Sequence, residues 1–453
     1  MGARCSGFVS LRIVLVRHGL SSFNLEHRIQ GRDDLSELTE AGADQARQAG
    51  RALQDLSFTA AYASPLRRAA DTATVLLESH GQGFSAEHHN DLLEIDLEPW
   101  SGLSRDELRE RFPQEEATWR QAPHTLELLR ADGSTYRPLA DLMDQAGAFR
   151  RLLIERHARF LAAEDATVLV VAHNAILRCL ILSLLGLGAE GFRRLRVDNG
   201  SISVLNLSEG PAGLTTQVES LNGVAHLGTP LPTAAGGTRL LLVRHGETDW
   251  NRQGRFQGQI DIPLNSNGRA QAEAAGSYLA PVPIDRAYSS VMARPRQTAE
   301  AILASHPGVP LTTTRGLVEI GHGLWEGQLE EEIAAHWPQL LADWKRAPHT
   351  VAMPEGETIH AVWERALHSW DQIAASLGAG ETALVVAHDA VNKTILCALL
   401  GLTAADIWAI KQGNGGVTVI DYPQGGTGTP VISAMNLTSH LGGVLDHTAA
   451  GAL

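Results

Sequence analysis

The chain has 453 residues and a formal net charge of −14 at pH 7. At roughly 100–200 residues per domain, that length calls for two or more cores. Hydrophobic residues at 44% and charged residues at 19% exclude disorder over most of the chain, and the acidic balance excludes the basic footprint of a nucleic-acid binder.

In chain order, the N-terminus lacks the long apolar region of a signal peptide. Met1-Gly2 with Ser6 fits the loose myristoylation pattern, which has meaning only in a eukaryote. A β-branched run at 13–16 predicts a buried strand, and it ends at Arg17-His18-Gly19. Asn24 and Gln30-Gly31 follow. A stretch rich in Ala, Gln and Arg at 42–54 predicts a helix. Next come Ser64, then Arg68, then Leu93-Glu94-Ile95. A strand at 168–172 ends at His173, and the apolar stretch at 176–187 is too short to span a bilayer and suits a buried helix. Cys5, Cys179 and Cys397 show no CxxC spacing, which argues against a disulfide scaffold and a structural zinc. They read as small buried apolar residues. The acidic, signal-free chain is expected in the cytoplasm, with no membrane partner.

The same order then returns. Leu15-Val16-Arg17-His18-Gly19 reappears as Leu242-Val243-Arg244-His245-Gly246. Asn24 reappears as Asn251, Gln30-Gly31 as Gln257-Gly258, Arg68 as Arg294, and Leu93-Glu94-Ile95 as Val318-Glu319-Ile320. Val171-Ala172-His173 becomes Val386-Ala387-His388, and Asn199-Gly200 becomes Asn414-Gly415. The period is far too long for a solenoid, so this is a duplicated domain. A Pro-, Thr-, Ala- and Gly-rich linker marks the joint, giving one domain over 8–228, a linker over 229–238 and a second domain over 239–453. The second copy predicts strands at 240–243 and 383–387 and a helix at 268–279. Alternating strands and helices imply an α/β fold, each domain a mainly parallel sheet flanked by helices. Catalytic groups then belong at the carboxyl ends of strands, where Arg17-His18, Arg244-His245, His173 and His388 all fall.

Each half thus holds two histidines, two arginines and an isolated glutamate. A phosphoryl group spreads charge over three oxygens, and its transfer needs positioning and electrostatic stabilisation. Two arginines supply forked, permanently charged donors. A neutral imidazole can attack phosphorus and form a phosphohistidine. A histidine at a helix N-terminus adds a donor where anions are favoured. A glutamic acid whose pKa is raised by a bound phosphate can protonate the leaving alkoxide and then activate water. No cluster in the sequence has the ligand set of a catalytic zinc or magnesium site, so the expectation is a reaction without metal or cofactor.

These residues resemble the histidine phosphatase superfamily, also called phosphoglycerate-mutase-like, over nearly the whole chain in two copies. The resemblance implies that His18 and His245 are the phosphorylated nucleophiles and Glu94 and Glu319 the proton donors. It implies that Arg17, Arg68 and His173 hold the phosphate in the first half, and Arg244, Arg294 and His388 in the second. Asn24, Gln30 and Gly31, with Asn251, Gln257 and Gly258, would line the same pockets. The expected substrate is a small sugar phosphate, such as 2-carboxyarabinitol 1-phosphate. Symmetric pairing is the commonest arrangement of two copies, so an intramolecular pseudo-dimer is a further expectation. The halves differ: Leu20 and Ser21 stand for Glu247 and Thr248, and a longer segment at 126–142 replaces Gly356-Glu357-Thr358. The second half is therefore the safer working site.

Two alternatives remain. Mutases of this family carry a long basic segment after the glutamate, whereas Glu319 is followed by the short run Ile-Gly-His-Gly-Leu-Trp-Glu-Gly, which favours hydrolysis. A non-catalytic phosphate-binding scaffold would not need the nucleophile and acid that both halves retain.

Overall fold

The computed structural model describes residues 10–162, 166–210 and 213–448, so the Met1-Gly2 pattern with Ser6, and Cys5, lie outside it. By contacts, the chain divides into two compact units: residues up to 217 with 222–229, and 218–221 with 230–453.

The first unit contains β1 (Ser10–Arg17), β2 (Ala60–Ala63), β3 (Glu87–His88), a two-stranded hairpin of β4 (Leu128–Leu129) and β5 (Thr135–Tyr136), then β6 (Ala166–Ala172) and β7 (Ile202–Gly210); β8 (Gly213–Gly223) follows, with its residues 218–221 counted in the second unit. β1 pairs parallel with β6, β6 with β2 and β2 with β3, while β7 runs antiparallel to β1. Every residue of β6 is buried, as a strand covered on both faces must be. Helices Glu40–Ala52, Arg67–His80, Pro138–Ala162 and Asn174–Leu184 connect the strands.

The second unit repeats this plan. Its strands are β9 (Thr238–Arg244), β10 (Arg286–Ser290), β11 (Leu311–Thr314), β12 (Thr382–Ala387), β13 (Val417–Tyr422) and β14 (Val431–Leu437). β9, β12, β10 and β11 pair parallel in that order, and β13 lies antiparallel between β9 and β14. Leu241, Val243, Leu384, Val386, Val417 and Val419 pack with Ala275, Leu279 and Ile302 of the flanking helices into one apolar core.

The fold is α/β with mainly parallel sheets. The predicted strands are longer than expected by one to three residues at an end. The helices predicted at 42–54 and 268–279 begin earlier, at Glu40 and Ser266, because Thr39 and Asn265 act as N-caps. Thr39 Oγ1 accepts from Gly42 N at 3.0 Å, and Asn265 Oδ1 accepts from Gly268 N at 2.8 Å. Such caps satisfy an otherwise orphaned helix N–H.

These helix starts also explain the glycine after each strand-end histidine. A Cβ on Gly19 would lie 2.2 Å from Gly42 O, and one on Gly246 2.3 Å from Gly268 O. Only a glycine lets the loop after β1 or β9 press against its helix. The segment at 126–142, which has no counterpart in the second half, supplies the β4–β5 hairpin. Arg130 ties that hairpin down by an ion pair to Asp96 at 2.7 Å, and Tyr136 Oη donates to Asp96 O at 3.2 Å. Among the described residues, no helix is long and apolar enough to cross a membrane. Cys179 and Cys397 are buried free thiols, and burial pushes both well above the ordinary thiol range, where they are not reactive.

Candidate active site

In the first unit, β1 delivers Arg17 and His18 and β6 delivers His173, which caps the helix Asn174–Leu184. The two imidazole rings meet edge to face with centroids 5.1 Å apart. His18 Nδ1 lies 2.7 Å from Gly19 O. A carbonyl only accepts, so this contact places the proton on Nδ1 and leaves Nε2 with its lone pair. His18 and His173 are both held well below the ordinary histidine range, first by burial and then by the neighbouring Arg17 and Arg68. Burial also lowers Arg17, to about 10, so Arg17 remains a cation at neutral pH.

Arg68 is anchored through Nη2 to Gly31 O at 2.9 Å and through Nη1 to Asp33 O at 3.0 Å. Arg17 Nη1 donates to Val197 O at 2.8 Å. The Nε atoms of Arg17 and Arg68 and the Nδ1 of His173 are buried without a hydrogen-bond partner among the described residues. Glu94 sits at the start of the helix Asn174–Leu184, where its carboxylate accepts from Ala175 N at 3.1 Å and Ile176 N at 3.2 Å. Unfilled helix N–H groups favour a carboxylate at that place.

The second unit builds the same arrangement. His245 and His388 have centroids 5.2 Å apart, and His245 Nδ1 lies 2.7 Å from Gly246 O. Arg294 reaches Gly258 O at 2.8 Å and Ile260 O at 3.1 Å, and its Nε approaches His245 Nε2 at 3.3 Å. That contact also requires an unprotonated Nε2. Arg244 donates to Gln412 O, with its Nε unpartnered among the described residues, as are both ring nitrogens of His388. Glu319 accepts from Ile320 N at 3.0 Å and from Ala390 N at 3.4 Å.

The units differ beside the second histidine. Asn174 follows His173, whereas Asp389 follows His388. Asp389 is buried and paired with Lys393 at 2.7 Å and Arg244 at 3.5 Å. Glu319 is pushed up, first by burial and then by the Asp389 carboxylate. Burial and a neighbouring carboxylate therefore raise this glutamate without the bound phosphate that the sequence alone would call for.

All sixteen of the expected residues fall around these two clusters, though not in one role. Gly31 and Gly258, both at φ +54°, offer carbonyls to the arginines. Asn24 Oδ1 accepts from Ser21 Oγ at 2.9 Å and Asn199 Nδ2 at 3.1 Å, leaving its own N–H donors for a ligand. Asn251 is held likewise by Thr248 and Asn414. Gln30 accepts from Ser21 Oγ at 3.1 Å, while Gln257 Oε1 has no partner among the described residues.

Two supports of the site are not among the residues expected from the sequence. Thr72 Oγ1 accepts from Gly19 N at 3.1 Å and donates to Arg68 O at 2.6 Å; Thr298 does the same for Gly246 N at 3.1 Å and Arg294 O at 2.9 Å. Each threonine ties the loop after a strand-end histidine to the buried arginine of the same unit. The signal was present in the sequence, since a threonine stands one helical turn after each arginine. Asn199 and Asn414 enter the sequence reading only as repeat markers, yet they donate through Nδ2 to His18 O and His245 O, each at 3.0 Å. Among the described residues, no three His, Cys, Asp or Glu side chains gather as a metal-holding group.

This twin arrangement belongs to a known class. The model of the histidine phosphatase superfamily (branch 1) matches residues 13–219 and 240–437, and the chain belongs to that family in two copies, as a phosphoric monoester hydrolase. It is similar along nearly its whole length to the 2-carboxy-D-arabinitol-1-phosphatase of Triticum aestivum, at 30% identity over 95% of this chain and 86% of that protein. Phosphoserine phosphatase 1 of Hydrogenobacter thermophilus is 32% identical over 45% of this chain and 94% of its own length. A 2,3-bisphosphoglycerate-dependent phosphoglycerate mutase of Gloeobacter violaceus is 34% identical over 38% of this chain and 80% of its own length.

Proposed function

We propose that each unit hydrolyses a small phosphomonoester through a phosphohistidine, on His18 in the first unit and His245 in the second. The observation that carries this reading is a histidine whose Nε2 is left unprotonated, set among buried arginine and histidine nitrogens of which several lack protein partners among the described residues. Buried donors without acceptors are costly. A phosphoryl group brings three acceptor oxygens that satisfy them.

Arg17, Arg68, His173 and Asn24 hold the phosphoryl oxygens. His18 Nε2 attacks phosphorus, forming the P–N bond as the P–O bond to the leaving alcohol breaks. Glu94 gives its proton to that alkoxide oxygen. Glu94 then takes a proton from water, whose oxygen attacks phosphorus and breaks the P–N bond, releasing inorganic phosphate. Arg244, Arg294, His388, Asn251, His245 and Glu319 perform the same steps in the second unit.

The substrate we favour is a sugar phosphate such as 2-carboxyarabinitol 1-phosphate, on the strength of the full-length likeness to the wheat phosphatase of that name. Phosphate release from this ester and from other sugar phosphates, with a chelator present, tests the reading. The parent releases phosphate, and His18→Ala and His245→Ala each remove one unit's share. Interconversion of phosphoglycerates without phosphate release would favour a mutase instead.

A further inference from the structure

The backbone carbonyls around each proposed acid are held by the same pair of residue types, in exchanged positions. In the first unit Arg32 Nε donates to Glu94 O at 3.1 Å, and Gln145 Nε2 donates to Leu93 O at 2.7 Å and Asp91 O at 3.1 Å. In the second, Gln259 takes the place of Arg32 and donates to Glu319 O at 3.1 Å. Arg365 takes the place of Gln145 and donates to Glu319 O at 3.0 Å, Gly316 O at 3.1 Å and Val318 O.

The exchange moves a cation from beneath the site to its rim. Arg365 is half-buried and neutralised by Glu357, which accepts at 2.9 and 2.8 Å. All five of its N–H donors are engaged. Arg32 is exposed. It uses one donor on Glu94 O and one on Gln145 Oε1, at 2.8 Å. Its other donors have no partner among the described residues. The carboxylates nearest in the chain are engaged elsewhere: Asp33 accepts from Leu35 N and Ser101 Oγ, and Asp34 accepts from Arg67 N; Asp96, two residues after Glu94, pairs with Arg130.

Arg32 also stands at the pocket. Its two chain neighbours, Gly31 and Asp33, hold the guanidinium of Arg68 by their carbonyls. In the second unit the corresponding rim carries Glu326, whose carboxylate accepts from Gln259 N at 2.8 Å and His322 N at 3.1 Å, where the first unit has the neutral Ser101.

We propose that Arg32 is a specificity-determining residue: it receives a second anionic group on the phosphate ester bound in the first unit, and the second unit lacks such a receptor. The inference rests on the phosphatase reading above. A guanidinium with free donors suits a carboxylate or a second phosphate.

The test uses the chain carrying His245→Ala, so that only the first unit turns over. Its substrates are 3-phosphoglycerate, which bears a carboxylate, and glycerol 3-phosphate, which has the same carbon frame without one. A charge-assisted contact implies that Arg32→Gln lowers the ratio of their kcat/KM values about 10- to 100-fold. That substitution installs what the second unit already carries, so the fold accommodates it. A bisphosphate in the panel separates a phosphate receptor from a carboxylate receptor. Equal loss on both esters would mean that Arg32 only steadies Glu94, and would overturn the inference, as would an unchanged ratio. Calorimetry on His18→Ala/His245→Ala, with and without Arg32→Gln, reads affinity without turnover. A carboxylate preference in binding that Arg32→Gln abolishes supports the inference even where hydrolysis fails, whereas unchanged binding overturns it.

Discussion

Thr298→Val isolates one hydrogen-bonded link in the second unit. The hydroxyl accepts from Gly246 N and donates to Arg294 O. Valine keeps the shape and removes both bonds, so no cavity opens. Gly246 N–H is then left buried without an acceptor, which costs about 1–3 kcal/mol. For a unit of this size that lowers the melting temperature by about 2–12 °C. The functional effect comes from geometry. Gly246 O orients the His245 ring through Nδ1 at 2.7 Å, and a small displacement of a nucleophile costs up to about 100-fold in rate. Thr298→Ser supplies the control, since it keeps the hydroxyl and loses the methyl. Steady-state hydrolysis in a His18→Ala background, with calorimetric melting of the same proteins, reads both effects. The account requires valine to lower kcat about tenfold or more and serine to retain most of it. If both variants behave alike, the hydroxyl link does not position the nucleophile.

Other consequences follow from the same geometry. In the proposed mechanism Glu319 is the proton donor and must hold its proton; burial raises it, and it faces the charges of Asp389, Arg294 and Arg244. Activity of the second unit therefore falls as pH rises through the raised Glu319 pKa. Asp389→Asn removes the like charge and moves that falling limb to lower pH in a His18→Ala background; an unmoved limb contradicts the coupling. The four buried histidines, His18, His173, His245 and His388, are all depressed by burial first. In the unfolded chain they take up protons below about pH 6.5, so the stability they contribute is present above that pH and is lost as pH falls below it. Melting scans from pH 7.5 to 5 should show that loss, reduced in His388→Phe. Arg239 makes a buried two-pronged pair with Asp421 at 2.7 and 2.8 Å. Arg239→Met strands the carboxylate and should cost about 3–5 kcal/mol in denaturant unfolding. A loss below about 1 kcal/mol would mean that water reaches Asp421.

Much of this architecture is legible from residue order. Strand ends at Arg17-His18 and Arg244-His245 follow from a buried β-branched run stopping at polar residues, and both strands end at those arginines. The helix starts were misplaced because Thr39 and Asn265 cap by side-chain bonds that periodicity does not register. The catalytic types were visible because they recur. Their supports were less so, since Thr72, Thr298, Asn199 and Asn414 act on atoms distant in the chain. The exchange of Arg32 with Gln145 against Gln259 with Arg365 escapes a motif search, because neither position alone keeps its residue type. Only the shared target, the carbonyl of Glu94 or Glu319, reveals it. The hairpin at 128–136 was expected only as extra length, and its anchoring on Asp96 depends on tertiary contacts.

The most direct test of the central claim is to trap the phosphoenzyme. Rapid denaturing quench during turnover of a hydrolysed sugar phosphate, followed by peptide mass spectrometry under alkaline conditions, locates an acid-labile phosphoryl group. The account predicts phosphohistidine at His18 and at His245, each lost in its own alanine variant. Phosphate release that persists in the His18→Ala/His245→Ala protein, with no phosphohistidine at either position, would contradict it.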